Sequence, residues 1–294
     1  MIYLLLSILS SALIIVLFKL FDIYNVKTLH AIIINYWVAA GLSFALDDSG
    51  LVLNQAFVQP WFINSILMGV LFISLFNVIA ISTAKIGVSV TSVANKMSLI
   101  MPVLFAIIFL EDKVNAIKII GILLALLAVY FTAKKSNDKT VDSKYVAYPF
   151  IVFVGSGFID TFFKYNDEFT LGENGLKPFL SWIFLTAGSI GLIALIVEKF
   201  KNKQAPNVKA LIGGVILGIP NYFSVFFLLK SLSISTLESS VVFPINNMAI
   251  VAVTAMAGIF LFKEKMSKTN IFGICLCIAA IGIIAFSEEM MILF

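Results

Sequence analysis

Ile2–Asp22 reads IYLLLSILSSALIIVLFKLFD and Ala147–Asp167 reads AYPFIVFVGSGFIDTFFKYND. Each is an unbroken apolar run closed by lysine and aspartate, long enough at about 1.5 Å per residue to cross a hydrocarbon core roughly 30 Å thick. Laid over one another with a shift of 145 residues, they pair Tyr3 with Tyr148, Ser11 with Ser156, Phe18 with Phe163, Lys19 with Lys164 and Asp22 with Asp167. The register continues through Trp37 and Trp182, Gly69 and Gly214, Lys85 and Lys230, and Thr91 and Thr236. Beyond it the shift becomes 152, pairing Lys113 with Lys265, Gly121 with Gly273 and Ala128 with Ala280. Lysine, tryptophan and aspartate matches at one shift, each at the same place in its span, read as a duplication.

Working outward from these runs, apolar segments separated by charged or turn-forming breaks predict ten spans: Ile2–Phe21, Thr28–Leu46, Trp61–Thr83, Val88–Leu110, Ala116–Ala133, Tyr145–Lys164, Lys177–Val197, Val208–Leu229, Leu237–Phe262 and Thr269–Phe286. The expected fold is an all-α integral membrane protein of ten transmembrane helices, with one five-helix repeat in residues 1–143 and the other in 144–294. An odd number of spans per copy makes the second copy enter the membrane from the opposite side, so the repeats are inverted, a plan used by secondary transporters. Composition agrees: of 294 residues 61% are hydrophobic and 12% charged, with a mean hydropathy of +1.07, against about 45–50% apolar and about 25% charged in soluble domains. A water-soluble globule is excluded. The first segment lacks a basic start and a small-residue cleavage pattern, and is read as a retained span.

All 20 basic residues are lysine, so any anion must be met by lysine, amides or helix N-termini and not by an arginine fork. Cys275 and Cys277 are two apart on an apolar run and His30 is the one histidine, expected near an interface, so neither a disulfide framework nor a metal centre is expected. No P-loop occurs, no basic run with interleaved aromatics suggests nucleic acid, and no cofactor is implied. An intramembrane enzyme would need paired acids, a histidine cluster or an activated serine, and none stands out.

The first copy ends in the corner Phe109-Leu-Glu-Asp-Lys113 leading to Gly121, and the second in Phe260-Leu-Phe-Lys-Glu264 leading to Gly273. With an acid, Asp112 or Glu264, nine residues before each glycine, the whole chain resembles the drug/metabolite transporter superfamily in its EamA-type members. The glycine that usually precedes this acid is replaced by Glu111 and Lys263. The resemblance implies secondary transport of small organic solutes, often export, by a multi-pass protein of the bacterial cytoplasmic membrane, and cytoplasmic termini.

Ionisable residues inside spans point to the site, because a charge at mid-span costs roughly 2.5–3.5 kcal/mol on insertion scales and faces a cavity or a partner. Lys96 is the most deeply placed lysine, with its backbone about 12 Å inside its span, beside Asn95, Ser98 and the helix-kinking Pro102. It reads as an anion contact or as a structural lysine paired within the bundle. Asp160 has Ser156 one turn before it and Lys164 one turn after, so it reads as an ion-coupling site together with Lys164, or as a simple charge partner for Lys164 or Lys96. Lys19 and Lys164 otherwise snorkel to the interface, and Glu238 reads as surface. Pro220-Asn221-Tyr222 and Pro244-Ile-Asn246-Asn247 suggest helices broken near the midplane. Asn221, Tyr222, Asn246 and Asn247 are then substrate contacts or interhelical glue. Trp37 and Trp182 are read as opposite walls of the cavity or as packing.

The functional expectation is an alternating-access carrier exporting a small metabolite, amino acid or drug-like solute with proton coupling. An uptake carrier for a sugar or carboxylate is the alternative, and a non-transporting membrane protein a more distant one. Expected partners are the substrate, protons and the lipid bilayer, and the chain is read as a monomer or homodimer. Fourteen lysines fall in odd-numbered loops and five in even-numbered ones, which by the positive-inside rule leaves both termini outside, opposite to the resemblance. A reporter fused to the C-terminus separates the two: the lysine count predicts activity of a phosphatase that works only outside, and cytoplasmic fluorescence contradicts it.

Overall fold

The structure is a computed structural model that describes residues 2–46, 53–109, 116–133, 145–172, 175–202, 207–234 and 239–286. They form α1 (Ile2–Ile23), α2 (Thr28–Ala45), α3 (Phe62–Lys85), α4 (Val88–Met97), α5 (Ile100–Phe109), α6 (Ala116–Ala133), α7 (Tyr148–Phe169), α8 (Leu176–Asn202), α9 (Val208–Ile234), α10 (Ser239–Phe260) and α11 (Lys268–Ala285). A 3-10 turn spans Leu53–Val58, and there is no strand among the described residues. Among the described residues six stretches are long and apolar enough to cross a membrane: α1, α2, α3, α4 with α5, α8 and α9. Shorter apolar stretches lie in α6, α10 and α11. This is an all-helical, multi-pass membrane protein.

Hydropathy and hydrogen bonding end the helices at different places. The sixth, seventh and eighth apolar runs close at Lys164, Val197 and Leu229, whereas α7, α8 and α9 continue to Phe169, Asn202 and Ile234. A charged residue marks where the chain leaves hydrocarbon, but the helix stops only when other groups take over its backbone bonds. In α7 that happens at Asn166, whose carbonyl accepts from both Thr170 and Leu171 N–H at 2.9 and 3.0 Å.

Contacts group the chain into two compact units. One comprises Met1–Lys19, Val78–Asp160 and Ser224–Phe294, the other Leu20–Asn77 and Thr161–Phe223, so each draws on both halves of the sequence.

In the first unit the span expected as one kinked helix is split at Ser98-Leu99. Pro102 has no N–H for the carbonyl of Ser98 and its ring crowds that carbonyl. The ladder shortens accordingly, with Leu99 and Met101 N–H donating to the carbonyls of Lys96 and Ser98, three residues back, at 3.5 and 2.9 Å. The Ser98 hydroxyl also takes the carbonyl of Asn95, at 2.5 Å, the local competition that makes serine a poor helix-interior residue. The breaks expected at Pro220 and Pro244 are not found: α9 and α10 run through both positions. Before Pro220 stand Leu217, Gly218 and Ile219, which offer no side-chain hydrogen bond to the backbone, so one missing rung leaves the helix whole.

The short helix α4 is held from outside itself. Its N-cap, Gly87, has φ 131°, a conformation for glycine, and makes no side-chain cap. The carboxylate of Glu264, from the corner after α10, accepts instead from Val88 N–H (2.6 Å), Ser89 N–H (3.4 Å) and Ser89 Oγ (3.1 Å). Acid at a helix N-terminus satisfies orphan donors and the helix dipole together. Further along, Thr91 pairs with Ser82 (2.8 Å), and Thr254 of α10 donates to Ser92 (2.6 Å). On α1, Ser7 donates to the carbonyl of Ser224 (2.8 Å), and Lys19 donates to that of Ala84 at the end of α3 (2.9 Å), a cation where the dipole favours one. Leu4 and Ile8 pack with Val242 and Ile250. Between α6 and α11, Gly121 lies against Ile284 and Gly273 against Thr132. Asn270, in the capping box that opens α11 with Ser267, also donates to the carbonyl of Thr132 (2.8 Å). The other corner, Glu111 to Lys113, lies outside the described residues, as do Glu238 and the lysines of 134–144.

In the second unit α2 packs on α8. Ser43 and Ser181 share a hydrogen bond (2.7 Å), and Trp37 donates to the carbonyl of Gly188 (3.1 Å). His30, expected near an interface, is buried at the start of α2. Glu264→Ala removes the borrowed cap of α4 and is expected to lower stability by about 0.5–2 kcal/mol, read by unfolding of purified protein. An unchanged midpoint contradicts the capping role.

Candidate functional site

The break in α4–α5 faces α7 within the first unit, and the sequence explains the approach. Gly157 carries no Cβ; one built there would overlap the Met101 side chain, coming within 2.7 Å of Cγ. Met101 stands one turn after the break on α5 and Gly157 one turn before Asp160 on α7, so the close seating brings Ser98 to Asp160. Ser98 Oγ donates to Asp160 Oδ2 at 2.8 Å, and Asn95 Nδ2 donates to Ser156 Oγ at 2.8 Å. Lys96, in the last turn of α4, lies within electrostatic reach of Asp160. Asn95, Lys96 and Asp160 are thus brought together, bridged by Ser98 and Ser156.

Lys96 and Asn95 are half-buried, Ser98 and Ser156 buried, and Asp160 exposed. Asp160 stands just past the middle of the 22-residue helix α7, with its side chain on the accessible surface of the structure. A cation, a carboxylate, two hydroxyls and an amide on one such surface can hold a small polar molecule by an acidic and a basic group at once, and can take up or release a proton at Asp160.

Lys164 follows Asp160 by one turn on α7 and belongs to the second unit. Its electrostatic partner is Asp167, three residues on, while the charge bearing on Asp160 is Lys96. Asn246 and Asn247 belong to the first unit through α10. The Ser92–Thr254 bond and the approach of Gly258 to Ser89 set an antiparallel register between α4 and α10. One to two turns further, that register places Asn247 level with the break. Asn246 is buried, and its Oδ1 has no hydrogen-bond partner among the described residues.

The remaining candidates belong to the second unit. Asn221 and Tyr222 are buried on α9. Trp182 packs edge-on against Phe44, Phe57 and Phe62, with ring centroids 6.3, 5.4 and 5.1 Å away. Trp37 is 41% exposed and spends its N–H on Gly188. Trp182 is thus one member of an aromatic cluster on the second unit. Ser98 was legible as a polar neighbour of Lys96 but not as the bridge to α7; its place four residues before Pro102 was the available signal.

Residues 150–286 match the EamA-like transporter family. An uncharacterized protein of Haemophilus influenzae is 27% identical over 284 residues, which cover 94% of each chain. Gly157→Val forces α5 off α7 and is expected to cost about 1–3 kcal/mol of stability, measured by thermal unfolding. A neutral result there means the Met101 contact is not what seats the break on α7.

Proposed function

We propose, from the match of residues 150–286 to the EamA-like transporter family, a secondary carrier that moves a small polar or amphipathic metabolite by alternating access. Transport of small solutes follows from the family. The finer reading is supported by one observation, the hydrogen bond that ties Asp160 to Ser98 at the broken span, two residues after Lys96. Lys96 is the contact for an anionic group of the substrate, and Asp160 takes up the coupling proton. Asn95, Asn246 and Asn247 supply neutral hydrogen bonds around them. Asn221, Tyr222, Trp37 and Trp182 are retained as candidates on the second unit, with Lys164 as a secondary charge for coupling.

The architecture proposed is ten spans in two inverted five-helix repeats. Taking α4 with α5 as one span gives five before residue 134 and five after residue 147. The repeat mates Gly121 and Gly273 supporting the same close approach between α6 and α11 is what a two-fold relation of the halves produces. Export across the cytoplasmic membrane of a bacterium, as a monomer or homodimer, completes the reading.

The test is a metabolite screen by thermal stabilisation of the purified protein. A ligand at one hundred times its Kd stabilises by about 2.7 kcal/mol. Carboxylate metabolites are expected among the hits, and Lys96→Met is expected to abolish their shift, with Lys96→Met/Asp160→Asn as the control for an unpaired acid. Full stabilisation of Lys96→Met by a carboxylate hit contradicts the anion-contact role.

A further inference from the structure

We propose that Ser98 is the positioning residue through which the charge of Asp160 reaches the broken span, its one hydroxyl proton alternating between the Asn95 carbonyl and the Asp160 carboxylate. The inference rests on reading Asp160 as a proton site. Ser98 Oγ lies 2.5 Å from the carbonyl oxygen of Asn95 and 2.8 Å from Asp160 Oδ2. Both oxygens are acceptors, and a serine hydroxyl has a single hydrogen to give.

Which acceptor wins depends on the charge of Asp160. A carboxylate makes roughly twice as strong a hydrogen bond as a neutral carbonyl, so ionised Asp160 draws the hydroxyl proton. Two oxygens 2.5 Å apart with no hydrogen between them repel, and the last turn of α4, which carries Asn95 and Lys96, loosens from Ser98. When a proton from water neutralises Asp160, the carboxyl becomes a donor to Ser98 Oγ. The serine proton then returns to the Asn95 carbonyl and closes the turn. The step balances as one O–H bond formed at the carboxyl and one broken in a hydronium ion, which leaves as water, while the serine hydroxyl reorients.

The location suits a hinge. The N–H groups of Leu99 and Met101 already reach only three residues back, and Pro102 contributes no N–H to the Ser98 carbonyl, so the ladder is weakened where the movement occurs. The charge bearing on Asp160 from the packed helix is Lys96, which rides on the turn that Ser98 controls. On α7 itself Lys164 follows one turn later, with Asp167 beside it. Movement of that turn changes the surroundings of the carboxyl and so feeds back on the same proton.

The full chain in phospholipid nanodiscs tests this with protons as the probe. Infrared difference spectra across a pH titration follow the protonated carboxyl of Asp160, assigned by its loss in Asp160→Asn. Amide exchange at Leu99–Met101, corrected for the intrinsic pH effect, follows the break. Wild type is expected to slow exchange about tenfold as the carboxyl band appears. Ser98→Ala is expected to keep the band and lose the exchange step, and Ser98→Thr to keep both. If Ser98→Ala retains the step, or Ser98→Thr loses it while keeping the band, the role of Ser98 is overturned with Asp160 intact as the proton site. No band attributable to Asp160 in wild type overturns the proton-site reading, and this inference with it.

Discussion

A lysine and a carboxylate cannot stand in hydrocarbon without compensation, and the first unit is organised around that constraint. Each charge costs a few kcal/mol at mid-span on insertion scales, comparable with the stabilisation that several interhelical hydrogen bonds provide. Asp160 meets part of the cost through the hydroxyl of Ser98 on the neighbouring helix, and Lys96 stands in the last turn of α4, two residues before that serine. Once those two charges are in place, a broken helix is the natural neighbour, since irregular backbone at membrane depth survives only in protein or beside water.

The break has its own requirements. A ten-residue helix such as α4 is marginal alone, and it is stabilised here by partners far away in sequence. Glu264 caps its start, Ser82 and Thr254 bond its middle, and Ser156 takes the Asn95 amide near its end. The acid that carries the family resemblance in the second half therefore fixes the helix that presents Lys96 in the first. That connection ties a corner motif outside the candidate site to the geometry of the site itself.

Much of the fold was legible because hydropathy reports the bilayer directly: the spans Thr28–Leu46, Ala116–Ala133 and Thr269–Phe286 coincide with α2, α6 and α11 within a residue at each end. Helix ends beyond the last apolar residue were not legible, since the bonds at Asn166 that stop α7 depend on local backbone geometry. Lys96, Asn95 and Asp160 were found because charge and amide are rare inside spans. Prolines misled where they were read alone. Pro102 breaks its helix in company with Ser98 and Asn95, while Pro220 is preceded by Leu217, Gly218 and Ile219, whose side chains cannot compete for the backbone. The bridging roles of Ser98, Ser156 and Ser89 were hidden, because a serine in an apolar span is as readily helix glue as a site residue until its partner on another helix is known.

The central claim is that the Lys96–Asp160 pair couples solute movement to protons. It is tested most directly in proteoliposomes loaded with a solute that stabilises the protein, by comparing wild type with Asp160→Asn under an imposed pH gradient. The account predicts that Asp160→Asn still exchanges the solute across the membrane at equal pH but no longer accumulates it in response to the gradient. Gradient-driven accumulation at the wild-type level in Asp160→Asn would contradict it.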